Sequence, residues 1–132
     1  MPKIIQITDF HLFADPNHNY RGILPAKTLK TVLVTIMNNH PDCQLILITG
    51  DLVSDDFLGY EVLKEILGNL GLPVYVLPGN HDNPKEMQQR LVGGLVYFSQ
   101  NLILDGWSIV MLNSAVEGRV EGILNKQELQ KL

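Results

Sequence analysis

Gln44-Leu45-Ile46-Leu47-Ile48-Thr49-Gly50-Asp51-Leu52-Val53-Ser54-Asp55 is the stretch whose reading decides the fold. Leu45 to Ile48 form an apolar run without polar alternation, the pattern of a central parallel strand covered on both faces. The run leads straight into Gly50-Asp51, where glycine allows a sharp turn and a carboxylate stands at the end of a buried strand. Charged side chains at such strand ends line the crevice where open α/β sheets take their ligands. Two other segments repeat the pattern. Lys3-Ile4-Ile5-Gln6-Ile7-Thr8 leads into Asp9-Phe10-His11, and Val74-Tyr75-Val76-Leu77 leads through Pro78-Gly79 into Asn80-His81-Asp82. Parallel and adjacent, the three strands would present Asp9, His11, Asp51, Asn80 and His81 to one volume.

The segments between these strands carry helical periodicity. Pro25 is placed as a first helical residue, and Leu29, Val32, Leu33 and Ile36 form a stripe that ends near Asn38-Asn39, before Pro41. His40 falls at that helix end, where it complements the dipole. Val62, Leu63, Ile66, Leu67 and Leu70 mark a second helix, stopped by Gly71 and Pro73. Asn83 caps a short third helix that begins at Pro84 and runs to about Leu91. Beyond Gly93-Gly94 the runs 95–98, 102–104 and 107–112 are β-type, with Asp105-Gly106 as a hairpin turn and antiparallel pairing expected. Asn125 and Glu128 have capping-box spacing and open a final helix. The fold class expected is α/β, a βαβαβ-type sheet continuing into antiparallel strands, in a single domain over residues 1–132.

Composition narrows the function. The chain has 132 residues, 45% hydrophobic and 18% charged, which fits a folded globular chain. A formal charge of −4 with no basic block excludes duplex nucleic acid as the expected partner. No run approaches the roughly 18 apolar residues of a membrane span, and the single cysteine, Cys43, makes a reducing, cytoplasmic compartment the expectation. The loop of residues 12–24 is rich in Pro, Asn and Gly; its His18 is read mainly as a solvated histidine and secondarily as a substrate contact.

Asp, His and Asn together make a mixed oxygen and nitrogen donor set, suited to Mn, Fe or Zn. Asp51, between the other two groups, can offer one oxygen to each of two ions. Two ions about 3.5–4 Å apart can hold an attacking hydroxide and the phosphoryl oxygens for in-line displacement. His81 beside them can donate a proton or hydrogen bond to the phosphate or its leaving oxygen. Taken singly, each motif could be a turn cap; three at successive strand ends are what mark a site.

These residues resemble a known family. Asp9-x-His11, Gly50-Asp51 with Asp55, and Gly79-Asn80-His81-Asp82 look like the first three motifs of the calcineurin-like metallophosphoesterases. The stretch from Thr8 to Asp15, the turn Thr49 to Val53, and Leu112-Asn113-Ser114 with Gly118 and Gly122-Ile123-Leu124 look more narrowly like the class III, bacterial cyclic-AMP phosphodiesterases. The resemblance implies that Asp9 and His11 hold a first metal, Asp51 bridges, Asn80 holds a second, and His81 assists at the phosphate. It implies a small phosphodiester or cyclic nucleotide as substrate, and half of an αββα sandwich as the fold. The family's C-terminal histidine ligands have no counterpart, because no histidine follows His81. A half-sandwich leaves sheet surface uncovered, so a homo-oligomer is expected. The rival reading is a catalytically silent chain that binds phosphorylated ligands or self-associates.

Overall fold

The computed structural model describes all 132 residues. Four parallel strands, β1 (Ile4–Ile7), β2 (Leu45–Ile48), β3 (Val74–Val76) and β4 (Val96–Phe98), lie side by side in chain order. They are linked by the helices α1 (Pro25–Asn39), α2 (Gly59–Leu67) and α3 (Pro84–Arg90). A sheet that grows in one direction through crossovers of one hand carries all its helices on one face. The core bears this out. Leu29, Leu33 and Ile36 of α1, Tyr60, Leu63 and Leu67 of α2 and Met87 of α3 share one buried cluster with Ile46, Ile48, Val74, Val76 and Val96. Each fully buried aliphatic side chain in such a cluster contributes about 1.5–3 kcal/mol.

The register shows what the other face carries. Gln6, Leu47, Tyr75 and Tyr97 are cross-strand partners in one row. None belongs to the main cluster, and side chains alternate faces along a strand. Gln6 is exposed and the other three are half-buried, with Tyr75 and Tyr97 stacked at 4.9 Å between ring centroids. The hairpin of β5 (Leu102–Leu104) and β6 (Trp107–Ile109) forms a separate antiparallel pair. A short helix, α4 (Lys126–Leu129), follows, capped by the Asn125 side chain accepting from the Glu128 N–H at 2.9 Å.

Several local expectations hold, and some boundaries move. Pro25 opens α1, and Asn83 caps α3 by accepting from the Lys85 and Glu86 N–H groups. Cys43 is buried, its Sγ 3.2 Å from the Leu45 carbonyl oxygen. The run 95–98 contributes a fourth parallel strand, so antiparallel pairing begins only with β5. Helix α2 ends at Leu67 with Gly68 as its cap. Leu70 therefore packs on the core from outside the helix, and the positive φ of Gly71, 68°, belongs to the following turn. No helix is long and apolar enough to cross a membrane.

Candidate metal centre

The carboxyl ends of β1, β2 and β3 converge through continued backbone pairing. Past the last strand residues, the Asp9 N–H donates to Gly50 O, His11 N–H to Asp51 O and Leu12 N–H to Leu52 O, each at 3.0 Å. Residues 9–12 and 50–53 thus stay locked side by side where side chains must leave the sheet. The cost is backbone strain. Asp9, His11, Asp51 and Asp55 have φ of 61°, 50°, 51° and 57°, in the left-handed region that non-glycine residues rarely occupy. Such strain persists only where surrounding packing over-determines it, and it clusters at functional sites.

Glycine is required at one point of this floor. A β-carbon on Gly79 would collide with the Asp51 carboxylate, and would stand 2.5 Å from the Asp51 backbone nitrogen. Gly79 lets the third strand end reach the second. The contact is fastened by Asp82, whose carboxylate accepts from the Gly79 N–H at 2.8 Å, from Leu52 and Val53 N–H at 3.1 and 3.3 Å, and from the Tyr60 hydroxyl at 2.8 Å. Burial holds the Asp82 carboxyl above its ordinary value, and the four donors offset only part of that rise. Burial, with the Asp82 charge behind it, pushes the Tyr60 phenol far up, so the hydroxyl remains a donor.

The five expected site residues occupy different parts of this floor. His11 Nε2 stands 4.0 Å from an Asp9 oxygen and 3.9 Å from an Asp51 oxygen. Those gaps are too long for hydrogen bonds, but they are the spacing of donors that each lie about 2 Å from a shared ion. His11, Asp51 and His81 offer ligand atoms all within 4.8 Å of one another. The donor set present therefore fits a divalent transition ion. Nδ1 of His11 is buried without a partner, and the ring is held by packing against Tyr20 and His81, at centroid distances of 5.8 and 5.2 Å. The Asp9 carboxylate is oriented by the Thr8 hydroxyl at 2.7 Å.

His81 faces two ways. Its backbone N–H donates to Asp51 at 3.2 Å, and its Nδ1–H donates to Asp55 at 2.8 Å. The Asp55 hydrogen bond raises the imidazole above its ordinary value; burial opposes the shift, and the charges of Asp55, Asp51 and Asp82 add to it. Asn80 is exposed and lines a cavity of about 270 Å³ together with Asp9 and Asp51. His18 stacks on Phe13 at 3.8 Å between ring centroids, on the loop of residues 12–24.

A family model of calcineurin-like phosphoesterases matches residues 2–126. The chain belongs to the calcineurin-like phosphoesterases. This family works with divalent metal ions, and the donor atoms around His11 and Asp51 are where this member can hold one, with the His81 ring beside them. Among its curated relatives, a 3',5'-cyclic-nucleotide phosphodiesterase of a Nostoc species is 36% identical over 98% of this chain and 49% of its own length. The 3',5'-cyclic adenosine monophosphate phosphodiesterases of Pseudomonas aeruginosa and Escherichia coli are 32% and 33% identical over 98% of this chain, and 47% and 48% of their own lengths. The chain thus spans about half the length of the curated relatives it matches. Two features of this phosphoesterase site were unassigned from residue types alone. Tyr60 looks like a core aromatic until its hydroxyl is seen on Asp82, and the loop of residues 114–122, marked in sequence only by Ser114, Gly118 and Gly122, forms a cavity wall.

Proposed function

We propose that this chain acts on phosphodiesters of the cyclic nucleotide class, as a metal-dependent hydrolase. The observation that carries the reading is the position of His11 Nε2, 3.9 and 4.0 Å from the carboxylates of Asp51 and Asp9 at the mouths of adjacent parallel strands. The relatives named as cyclic-nucleotide phosphodiesterases support the choice of substrate class. In this reading Asp9, His11 and Asp51 hold one ion of Mn, Fe or Zn, and Asp51 with Asn80 holds a second. Metal bound there supplies Lewis-acid activation of water near neutral pH and charge stabilisation at phosphorus.

The chain's own groups do the rest. Thr8 fixes the Asp9 carboxylate, and the His81 backbone N–H fixes Asp51. The His81 ring, kept protonated to higher pH by Asp55 on Nδ1, has Nε2 left to donate to a phosphate or leaving-group oxygen. The test is turnover of cyclic AMP and of bis(p-nitrophenyl) phosphate with added Mn²⁺, beside Asp51→Asn prepared identically. Turnover lost in the variant is the expected result. Equal background rates in both would overturn the reading in favour of a silent, ligand-binding chain.

The same reading includes self-association through the row of Gln6, Leu47, Tyr75 and Tyr97, the sheet face outside the main core. Light scattering at micromolar concentration should return more than the monomer mass of 14.8 kDa; a monodisperse monomer would rule it out.

A further inference from the structure

We propose that Arg119 is the phosphate-contacting residue of this site, carried on the loop of residues 114–122 to face Asp9, Asp51 and Asn80. The inference rests on the phosphodiester reading above and names the side chain that would select an anionic substrate.

The loop is a built wall. Its neck is closed by the Ile123 N–H donating to Ser114 O at 2.8 Å, and within it the Arg119 N–H donates to Val116 O at 3.1 Å. Gly122 packs so tightly on Ser114 that a β-carbon there would lie 3.1 Å from both the Ser114 carbonyl and hydroxyl oxygens. Just before the neck, the Asn113 N–H is held by Glu128 at 2.9 Å. Thus anchored, Ser114, Arg119 and Glu121 close the cavity of about 270 Å³ whose floor is Asp9, Asp51 and Asn80. On its other flank Ala115 to Gly118 border a second cavity with Asp55, Asn80 and His81. The loop therefore sits astride Asn80, over the place where a substrate phosphate would meet the strand ends.

Charge selects the residue. The first cavity is lined by the carboxylates of Asp9, Asp51 and Glu121, and Arg119 is the one cationic side chain in its lining. A phosphodiester monoanion entering there faces Asp9, Asp51 and Glu121, and the Arg119 guanidinium is the protein's own counter-charge for it, with hydrogen-bond donors for its oxygens. Its planar fork matches two phosphoryl oxygens, which a lysine cannot do. In the structure Arg119 Nη1 touches Glu121 through a single contact of 3.4 Å, with both side chains largely exposed. An exposed, monodentate pair of that kind is readily exchanged. Substrate oxygens replace Glu121, and the guanidinium need only turn within the cavity it already lines.

The experiment is calorimetric titration of the full chain, in Mn²⁺, with the slowly hydrolysed phosphorothioate analogue of cyclic AMP and with adenosine as the uncharged comparison. Arg119→Gln should weaken the charged ligand about 10- to 100-fold, the range of a lost charge-assisted hydrogen bond, and leave adenosine and Mn²⁺ affinity unchanged. Unchanged Mn²⁺ affinity also shows that the variant is folded. Arg119→Lys should recover only part of the loss, and Glu121→Gln should tighten the charged ligand by freeing the guanidinium. Affinity in Arg119→Gln within twofold of wild type, with Asp51→Asn abolishing it, overturns the role of Arg119 and leaves the phosphodiester reading standing. Absence of any Mn²⁺-dependent binding by the wild-type chain overturns both.

Discussion

Residues 1–98 and residues 99–132 are built on different principles. Of the 23 buried residues in the chain, only Met111 lies beyond Phe98. The first region packs three helices on four parallel strands around one buried aliphatic cluster. The second is a hairpin, a loop and one helical turn, tied down by polar contacts. Asn101 accepts from the Met111 N–H, Glu128 from the Asn113 N–H, and Lys131 reaches Ser99, Met111 and Glu128. The floor of the site belongs to the first region and its wall to the second. A core can hold four strained residues in place, whereas a wall on polar tethers can adapt to what enters. Fixed metal donors and an adjustable anion contact are the division of labour this arrangement permits.

The comparison breaks most readily at Asp82, the floor's own polar anchor. Asp82→Ala leaves the N–H groups of Leu52, Val53 and Gly79 and the Tyr60 hydroxyl without their acceptor. A buried donor left unmade costs about 1–3 kcal/mol, so with water recovering part of the loss the variant should fall by about 4 kcal/mol in urea unfolding. Tyr60→Phe removes one donor to Asp82 and the acceptor of the Asn83 N–H, and should cost about 1–2 kcal/mol. If Tyr60→Phe proved the more damaging of the two, the floor would be organised by aromatic packing and not by the carboxylate.

The two regions also differ in how plainly the sequence announces them. Strand β2 is legible because its apolar run lacks alternation, and β1 and β3 because their apolar runs lead within a few residues into Asp9 and Asn80. Adjacency of those ends follows from short right-handed crossovers. The direction of β4 is not legible, since Val96-Tyr97-Phe98 would read the same in either orientation and its partner is chosen by the core face of β3. Helix α2 stops early because Gly68 offers a cap before Gly71 is reached, while Leu70 still finds the core from the turn. Nothing in residue type foretells that His81 pairs with Asp55 across 26 positions. That bond is made by two turns folding toward each other. The left-handed φ of Asp9, His11 and Asp51 is only faintly signalled: Asp and His are enriched there among non-glycine residues, yet most of them adopt other conformations. The wall is the least legible part: residues 114–122 have no periodicity, and what they face depends on tethers to Glu128.

The smallest effect tests those tethers. Glu128 accepts from Lys131 Nζ at 2.7 Å and from the Asn113 N–H at 2.9 Å. The Lys131 hydrogen bond holds its carboxyl below the ordinary value of 4.5; burial opposes the shift, and the Asn113 N–H adds to it. A carboxyl lowered in the folded state stabilises above its unfolded value, and the contribution is lost as pH falls through the folded one. The neck of the loop should therefore loosen on the acid side, by about 1 kcal/mol for this part-buried pair three positions apart. In an NMR titration the Asn113 amide should move with a midpoint below 4.5, and Glu128→Gln should abolish that movement. The Leu52 amide, bound to Asp82 in the floor, should not follow the same curve. Asn113 and Leu52 titrating together would mean that wall and floor open as one unit, and that the wall takes its stability from the core it was distinguished from.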